Sequence, residues 1–462
     1  MAEDQNTDNT LLKKKYFSKI ALGLLLIICV WYGKNLNSWG RDKIITHDVI
    51  SYYAYLPAAI IFRDFSFKFA NDTASAAEVK IWYSVAQNGK PVLRMTMGLA
   101  ILWLPFFLSA HLMATVLGVS TMGYSWPYSF FIFIAAVFYL LMGLVFLRKI
   151  LLKYFTDWIT AITLIVIVAA TNLMYYVISE PGLSHVYSFA LISIFLWVTL
   201  IWISKPTWGL SILAGVLGGL IVLIRPVNGL VLIFPLILGL DSLIGFKNRI
   251  FRNWQYLAVA AFSAIIMVLP QIVYWKIQTG HFLFNSYMES GKFYFLHPNI
   301  FQGLLGFRKG WLIYTPVMLF SIYGFFVMKK YVAGLRTALI AFMVLFIYVV
   351  FSWWCWWYGG SFGSRPMIET YGILAIPLAA SFAYLFKKNF LIKVLLSIVL
   401  VAFLYLNQFQ MGQYRTSLLH WDSMTKEAYK AIFFRSSAPT GYESLLKNPD
   451  YEKALKGDFK NN

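Results

Sequence analysis

The chain is 462 residues long, 60% hydrophobic and only 13% charged, with a mean hydropathy of +0.67. That balance excludes a soluble globular fold and describes a polytopic membrane protein assembled from apolar stretches of roughly 20 residues. The formal charge of +20 is not a nucleic-acid footprint, because roughly half of the cations fall in short loops between apolar runs, where they orient a bundle.

Lys13, Lys14, Lys15 and Lys19 precede an apolar run over residues 20–31, and no small-residue cleavage signature follows it. The run reads as a retained first span with a cytoplasmic flank. The first outer loop, residues 34–92, contains Thr46-His47-Asp48 and then a largely apolar stretch over 49–62 with Tyr52, Tyr53 and Tyr55. That stretch is too short to span and is expected to be a helix lying in the interface. Asp48 at its start suits a helix cap. It equally suits a general base, since partial desolvation raises a carboxylate's proton affinity. The two roles are compatible.

Further spans are expected over 97–118, 126–147, 159–178, 185–204, 207–224, 229–245, 254–275, 311–328, 335–352, 367–386 and 393–409. The result is an all-α bundle of about 11–13 transmembrane helices. Basic residues punctuate alternate connections: Arg148, Lys149 and Lys153; Lys205; Lys247, Arg249 and Arg252; Lys329, Lys330 and Arg336; Lys387, Lys388 and Lys393. Only Asp157 and Asp241 oppose them there, so these connections are assigned to the cytoplasm. One count does not close. Three candidate spans precede Arg148, where an even number is required, and 97–118, with Pro105 and His111, is the candidate for a re-entrant or interfacial segment.

The remaining connections face outward and hold most of the unusual polar residues. Ser179-Glu180-Pro181-Gly182-Leu183-Ser184-His185 places a carboxylate and an imidazole between two spans. Arg225 lies between apolar runs on the side that should be poor in cations, which marks a functional site or a snorkelling anchor. The long connection 276–310 offers His281, Glu289, Lys292, His297, Arg308 and Lys309. Arg308-Lys309 suits a phosphate or a lipid headgroup. The string from Trp353 to Pro366 carries Trp357, three glycines around Ser361, and Arg365. Its tryptophans fit an interfacial belt, and indole faces such as that of Trp357 also stack on sugar rings. Glycine permits close backbone approach to a ligand, and a guanidinium grips phosphate with a bidentate fork. Glu369, one turn further, is expected to partner a nearby arginine. The tail, residues 410–462 with Trp421, Tyr429, Phe433 and Phe434, is expected to form small helices over the outer face. Cys29 and Cys355 belong to no disulfide framework or metal-type cluster. Nucleotide-binding and zinc-protease motifs are lacking.

Asp48 just after the first span, then Tyr52, Tyr53 and Tyr55, then Gly89-Lys90-Pro91, make the chain resemble the GT-C glycosyltransferases of the protein O-mannosyltransferase and aminoarabinose-transferase branch. His47-Asp48 stands where that family has an acidic pair, and Glu180 resembles its acid in a second outer loop. The resemblance implies a GT-C-like bundle over residues 1–409. It also implies inverting transfer from a polyprenyl-phosphate sugar to a hydroxyl of a lipid, glycan or protein at the outer, periplasmic face of a bacterial inner membrane. It implies Asp48 as catalytic base with Glu180 and His185 in the site, and phosphate or substrate contacts from Arg365, Arg225, Lys90, Arg308, Lys309, His47, Tyr53, Trp357 and Glu289. A divalent metal is left open. The competing expectations are a polysaccharide polymerase or ligase and a lipid-linked-sugar flippase. A flippase would show repeats and ionisable residues near the bilayer midplane, whereas here the ionisable residues gather at one interface.

Overall fold

The structure, a computed structural model, describes residues 16–40, 43–71, 78–240 and 242–459. Lys13, Lys14, Lys15 and Asp241, read above as orienting charges, lie outside them. Among the described residues the chain opens with α1 (Phe17–Asn35) and α2 (Asp48–Tyr53). The hairpin β1 (Tyr83–Val85) and β2 (Pro91–Leu93) follows, then α3 (Gly98–Val116), α4 (Trp126–Leu151), α5 (Asp157–Ala169), α6 (Leu173–Ile178) and α7 (His185–Ser204). Next come α8 (Trp208–Ile224), α9 (Phe234–Ile237), α10 (Leu243–Thr279), α11 (Ile300–Leu305), α12 (Trp311–Tyr314), α13 (Leu319–Val327) and α14 (Arg336–Phe351). The chain closes with α15 (Tyr371–Leu385), α16 (Phe390–Arg415), α17 (Lys426–Ile432) and α18 (Tyr451–Leu455). Seven of the helices are long and apolar enough to cross a membrane, which is the all-α architecture of a membrane protein.

Packing follows from where side chains are small. α15 is buried along nearly its whole length and forms the centre. α8 lies directly on α10 because Gly219 faces it; a Cβ there would sit 2.8 Å from the Ala264 carbonyl oxygen. Close backbone approach through small residues is the usual device where lipid removes the hydrophobic drive. α10 exposes Phe262, Ile265, Ile266, Leu269, Val273 and Ile277, an apolar surface suited to lipid.

The basic connections gather at one end. Arg148 Nε donates to Ser18 Oγ at 2.6 Å, and Asp157 accepts the Phe17 N–H at 2.8 Å. The start of α1, the end of α4 and the start of α5 therefore meet. Tyr331 lies 5.8 Å from Phe155, and Phe386 4.9 Å from Trp158, between ring centroids. These contacts bring the 329–336 and 387–388 connections to the same end. Arg249 joins it by donating to the Leu238 carbonyl at 2.6 Å, beside which Gly239 approaches Gly334.

α3 starts against the last turn of α8, where Thr96 Oγ1 donates to the Leu223 carbonyl. It finishes against the first turn of α4, where His111 Nδ1 meets Tyr128 Oη at 2.7 Å. Between these contacts α3 runs antiparallel to the first half of α4, with Tyr139 donating to the Leu102 carbonyl at 3.3 Å.

Several expected elements change. The stretch 49–62 is mostly packed into the protein, with Ala59 and Ile60 exposed near its end. Val49 and residues 51–58 are buried, and Tyr53 and Tyr55 turn inward to donate to the carbonyls of Gly123 and Met95. Asp48 is not the cap of α2 but its first residue; His47 precedes it with φ +47° and forms no capping bond. The 159–178 span breaks because Asn172 is recruited sideways, donating to the Phe362 carbonyl at 3.0 Å and accepting from Tyr371 at 2.7 Å. Pro316 breaks 311–328 by forcing Thr315 out of the helical region. Over 229–245 the chain forms a 3-10 stretch and the short α9, which ends at Ile237 ahead of Gly239 with its positive φ. α10 begins at Leu243, so Lys247, Arg249 and Arg252 are helical rather than in a loop, and a bend falls at Asn253. α16 continues to Arg415 because its polar end is satisfied by the tail, with Gln413 donating to the carbonyls of Ile432 and Arg435 at 2.7 Å each.

Candidate functional site

Opposite the basic end, a cavity of about 690 Å³ lies within the range of small-ligand sites. Its wall is assembled from segments far apart in the chain.

Pro226 ends α8 and holds the preceding Arg225 in extended backbone at φ −153° and ψ 119°. Arg225 Nη1 donates to Glu369 Oε1 at 2.9 Å, and Glu369 is wholly buried. The Arg225 guanidinium also lies 5.7 Å from the Tyr358 ring centroid. His185, the first residue of α7, places Nδ1 3.2 Å from the same Glu369 oxygen and 3.4 Å from Arg225 Nη1. Arg225 can only donate, whereas an Nδ1–H directed at the nearer Glu369 oxygen leaves Nε2 as the acceptor.

Arg365 sits one turn before Glu369, in the 3-10 segment Arg365–Thr370. Its Nη2 lies 3.5 Å from Asp48 Oδ2. Tyr358, Gly359 and Gly363 all have positive φ, so this loop doubles back and sets Tyr358 and Arg365 on the same wall. The glycines adopt that conformation freely, whereas Tyr358 holds it at a cost of order 1 kcal/mol. Arg365 also feels the charge of Glu180. Glu180 accepts from Tyr175 at 3.0 Å, and burial, the largest influence on it, pushes its carboxyl up. Glu180 does not line the cavity.

The third contribution is Arg94, at the end of β2. The hairpin is fixed to α10, where Leu93 N–H donates to Tyr274 at 2.9 Å and Asn88 donates to the Gln278 carbonyl at 2.8 Å. Arg94 Nη2 donates to Ser290 Oγ, and its guanidinium lies 5.0 Å from the Tyr287 ring and 5.3 Å from that of Trp82. Sequence reading passed over this residue. The signal was present, since Arg94 interrupts apolar sequence on the cation-poor side as Arg225 does. The fourth wall is aromatic, with Trp275, Phe284, Trp353 and Trp354.

The other expected residues fall elsewhere. Lys90 is exposed at the hairpin turn and donates to the Ile277 carbonyl at 3.2 Å. Glu289 is exposed and pairs with Lys292 at 3.0 Å. His47 is exposed beside Asp48, whereas Tyr53 is buried with its hydroxyl on Gly123. Trp357 is buried, 5.3 Å from the Tyr451 ring. Arg308 donates to the carbonyls of Asp422 and Lys447, and Lys309 to that of Ser361. Arg308 therefore seats the tail and Lys309 holds the 353–366 loop, and Tyr451 of the tail reaches the cavity wall. The expectation of small tail helices over this end is met by α17 and α18. Burial pushes Lys309 down to about 7. Among the described residues no group of three His, Cys, Asp or Glu side chains is placed to hold a metal ion.

Comparison with known proteins brings neither a matching family model nor a matching curated protein.

Proposed function

We propose that the protein is an inverting membrane glycosyltransferase of GT-C type, taking its sugar from a polyprenyl-phosphate donor. The observation that carries this reading is the cavity itself. It combines Asp48, three guanidiniums and an aromatic wall at the end of the bundle away from the basic connections. A carboxylate suits proton abstraction, the guanidiniums suit a phosphate, and aromatic faces suit a sugar ring or prenyl chain.

In the step proposed, the acceptor hydroxyl oxygen bonds to the anomeric carbon as its proton passes to Asp48. The bond from that carbon to the phosphate oxygen breaks, and its electron pair leaves on polyprenyl phosphate. A single displacement inverts the anomeric centre. Fixed cations stabilise the charge that grows on the departing phosphate. His185, held by Glu369, offers its Nε2 as a second acceptor on the wall. The basic connections orient the bundle so that the cavity opens on the outer face.

The test is release of polyprenyl phosphate from a panel of radiolabelled polyprenyl-phosphate hexoses by purified protein, with Asp48→Asn for comparison. Wild-type turnover, reduced about 10²- to 10⁴-fold in the variant, supports the reading. Labelled lipid crossing proteoliposome bilayers without sugar transfer overturns it in favour of a flippase.

A further inference from the structure

The three cavity guanidiniums are not electrostatically equivalent. Arg225 is matched by Glu369 at 2.9 Å. Arg365 has Asp48 at 3.5 Å and feels Glu180 as well, so two carboxylates share its neighbourhood. Its Nε is buried and makes no hydrogen bond to protein. That donor is suited to a neutral oxygen such as a sugar hydroxyl, but the surrounding carboxylates oppose a second anion. Arg94 differs from both. Among the described residues it has no carboxylate within ion-pair distance, and its one hydrogen bond from the guanidinium goes to the Ser290 hydroxyl. Aromatic faces hold the cation without neutralising it. Its other N–H groups are left for a ligand on the cavity wall, and a guanidinium presents such donors in a fork matched to phosphate.

We infer that Arg94 is the anion-binding residue of the cavity, taking the phosphate of a lipid-linked ligand, and that the guanidinium beside Asp48 is a positioning group. This rests on the reading of the cavity as a polyprenyl-phosphate site, and it moves the phosphate from Arg365 to the guanidinium beside Tyr287. There it lies beside α10, whose Trp275 lines the cavity and whose Val273 and Ile277 are exposed to lipid. The prenyl chain of a ligand anchored at Arg94 has an apolar exit along that helix, while its headgroup reaches toward Asp48.

The test compares farnesyl phosphate with farnesol, two probes that differ in the phosphate alone, by quenching of tryptophan fluorescence of the full-length protein in detergent. Wild type should prefer farnesyl phosphate. Arg94→Gln should reduce that preference about 10- to 100-fold, the worth of a charge-assisted hydrogen bond, while leaving farnesol binding unchanged. Arg94→Lys keeps the charge and should retain a weakened preference, which provides a reading even if the Gln variant folds poorly. Arg365→Gln should keep the preference. Loss of preference in Arg365→Gln with full preference in both Arg94 variants overturns the assignment, even where the wild type turns over donor. A wild type that transfers sugar but shows no preference overturns it as well. Sugar transfer by the wild type is the separate measure of the underlying functional reading.

Discussion

Arg225, Glu369 and His185 form a buried unit in which one carboxylate oxygen serves both a guanidinium and an imidazole. Removing one member of a buried pair leaves the other charge uncompensated, which costs about 3–5 kcal/mol. Glu369→Gln should therefore lower the unfolding temperature sharply. The double variant Glu369→Gln with Arg225→Gln should recover much of the stability without recovering turnover, and a thermodynamic cycle on purified protein separates the two. Lys309 gives a pH signature. Its ammonium is buried and pushed down to about 7, against about 10.4 in an unfolded chain. Between these values the unfolded state holds the extra proton, so stability rises with pH, by about 2 kcal/mol from pH 7 to 9. Lys309→Met should abolish that rise in a pH series of thermal melts. A rise unchanged in the variant would assign it to another group.

At the scale of elements, the cavity depends on helix ends meeting rather than on any one helix. α8 delivers Arg225, α7 delivers His185, and the segment before α15 delivers Arg365 and Glu369. The α8–α10 contact sets the position of Arg225 through Gly219. Gly219→Val should push the two helices apart at a cost of about 1–3 kcal/mol, and turnover should fall although no cavity residue has changed. Equal activity and stability in the variant would show that the contact yields without moving Arg225. The elements least legible in sequence are those broken by tertiary partners. Asn172 reads as the interior of a span and is instead a bridge between the Phe362 carbonyl and Tyr371. Asp48 reads as a cap or a general base, and its ion pair with a residue 317 positions away is invisible along the chain.

At the scale of the molecule, the connection around Lys153 lies at one end and the Gly359 loop at the other. Single cysteines at Lys153 and Gly359, on a background lacking Cys29 and Cys355, should label from opposite sides of sealed vesicles with an impermeant maleimide. Labelling of both from one side would overturn the arrangement. Thr115 and Ser125, flanking the α3–α4 connection at the end of α4 opposite Arg148, should label with Gly359.

The sequence by itself determined the class, because 60% apolar composition and runs of spanning length leave no fold but a membrane bundle. It also marked Asp48, His185, Arg225 and Arg365, since charged groups at the ends of apolar runs are costly and hence conspicuous. Glu369 as an arginine's partner was legible for the same reason. Only the tertiary structure decided which of those charges cancel, leaving Arg94 in excess and turning Arg308 to the tail and Lys309 to the Ser361 carbonyl. Periodicity and hydropathy are local sums along the chain. Charge compensation is a property of distance in space, and residues as remote in sequence as Asp48 and Arg365 meet only once the helices have packed.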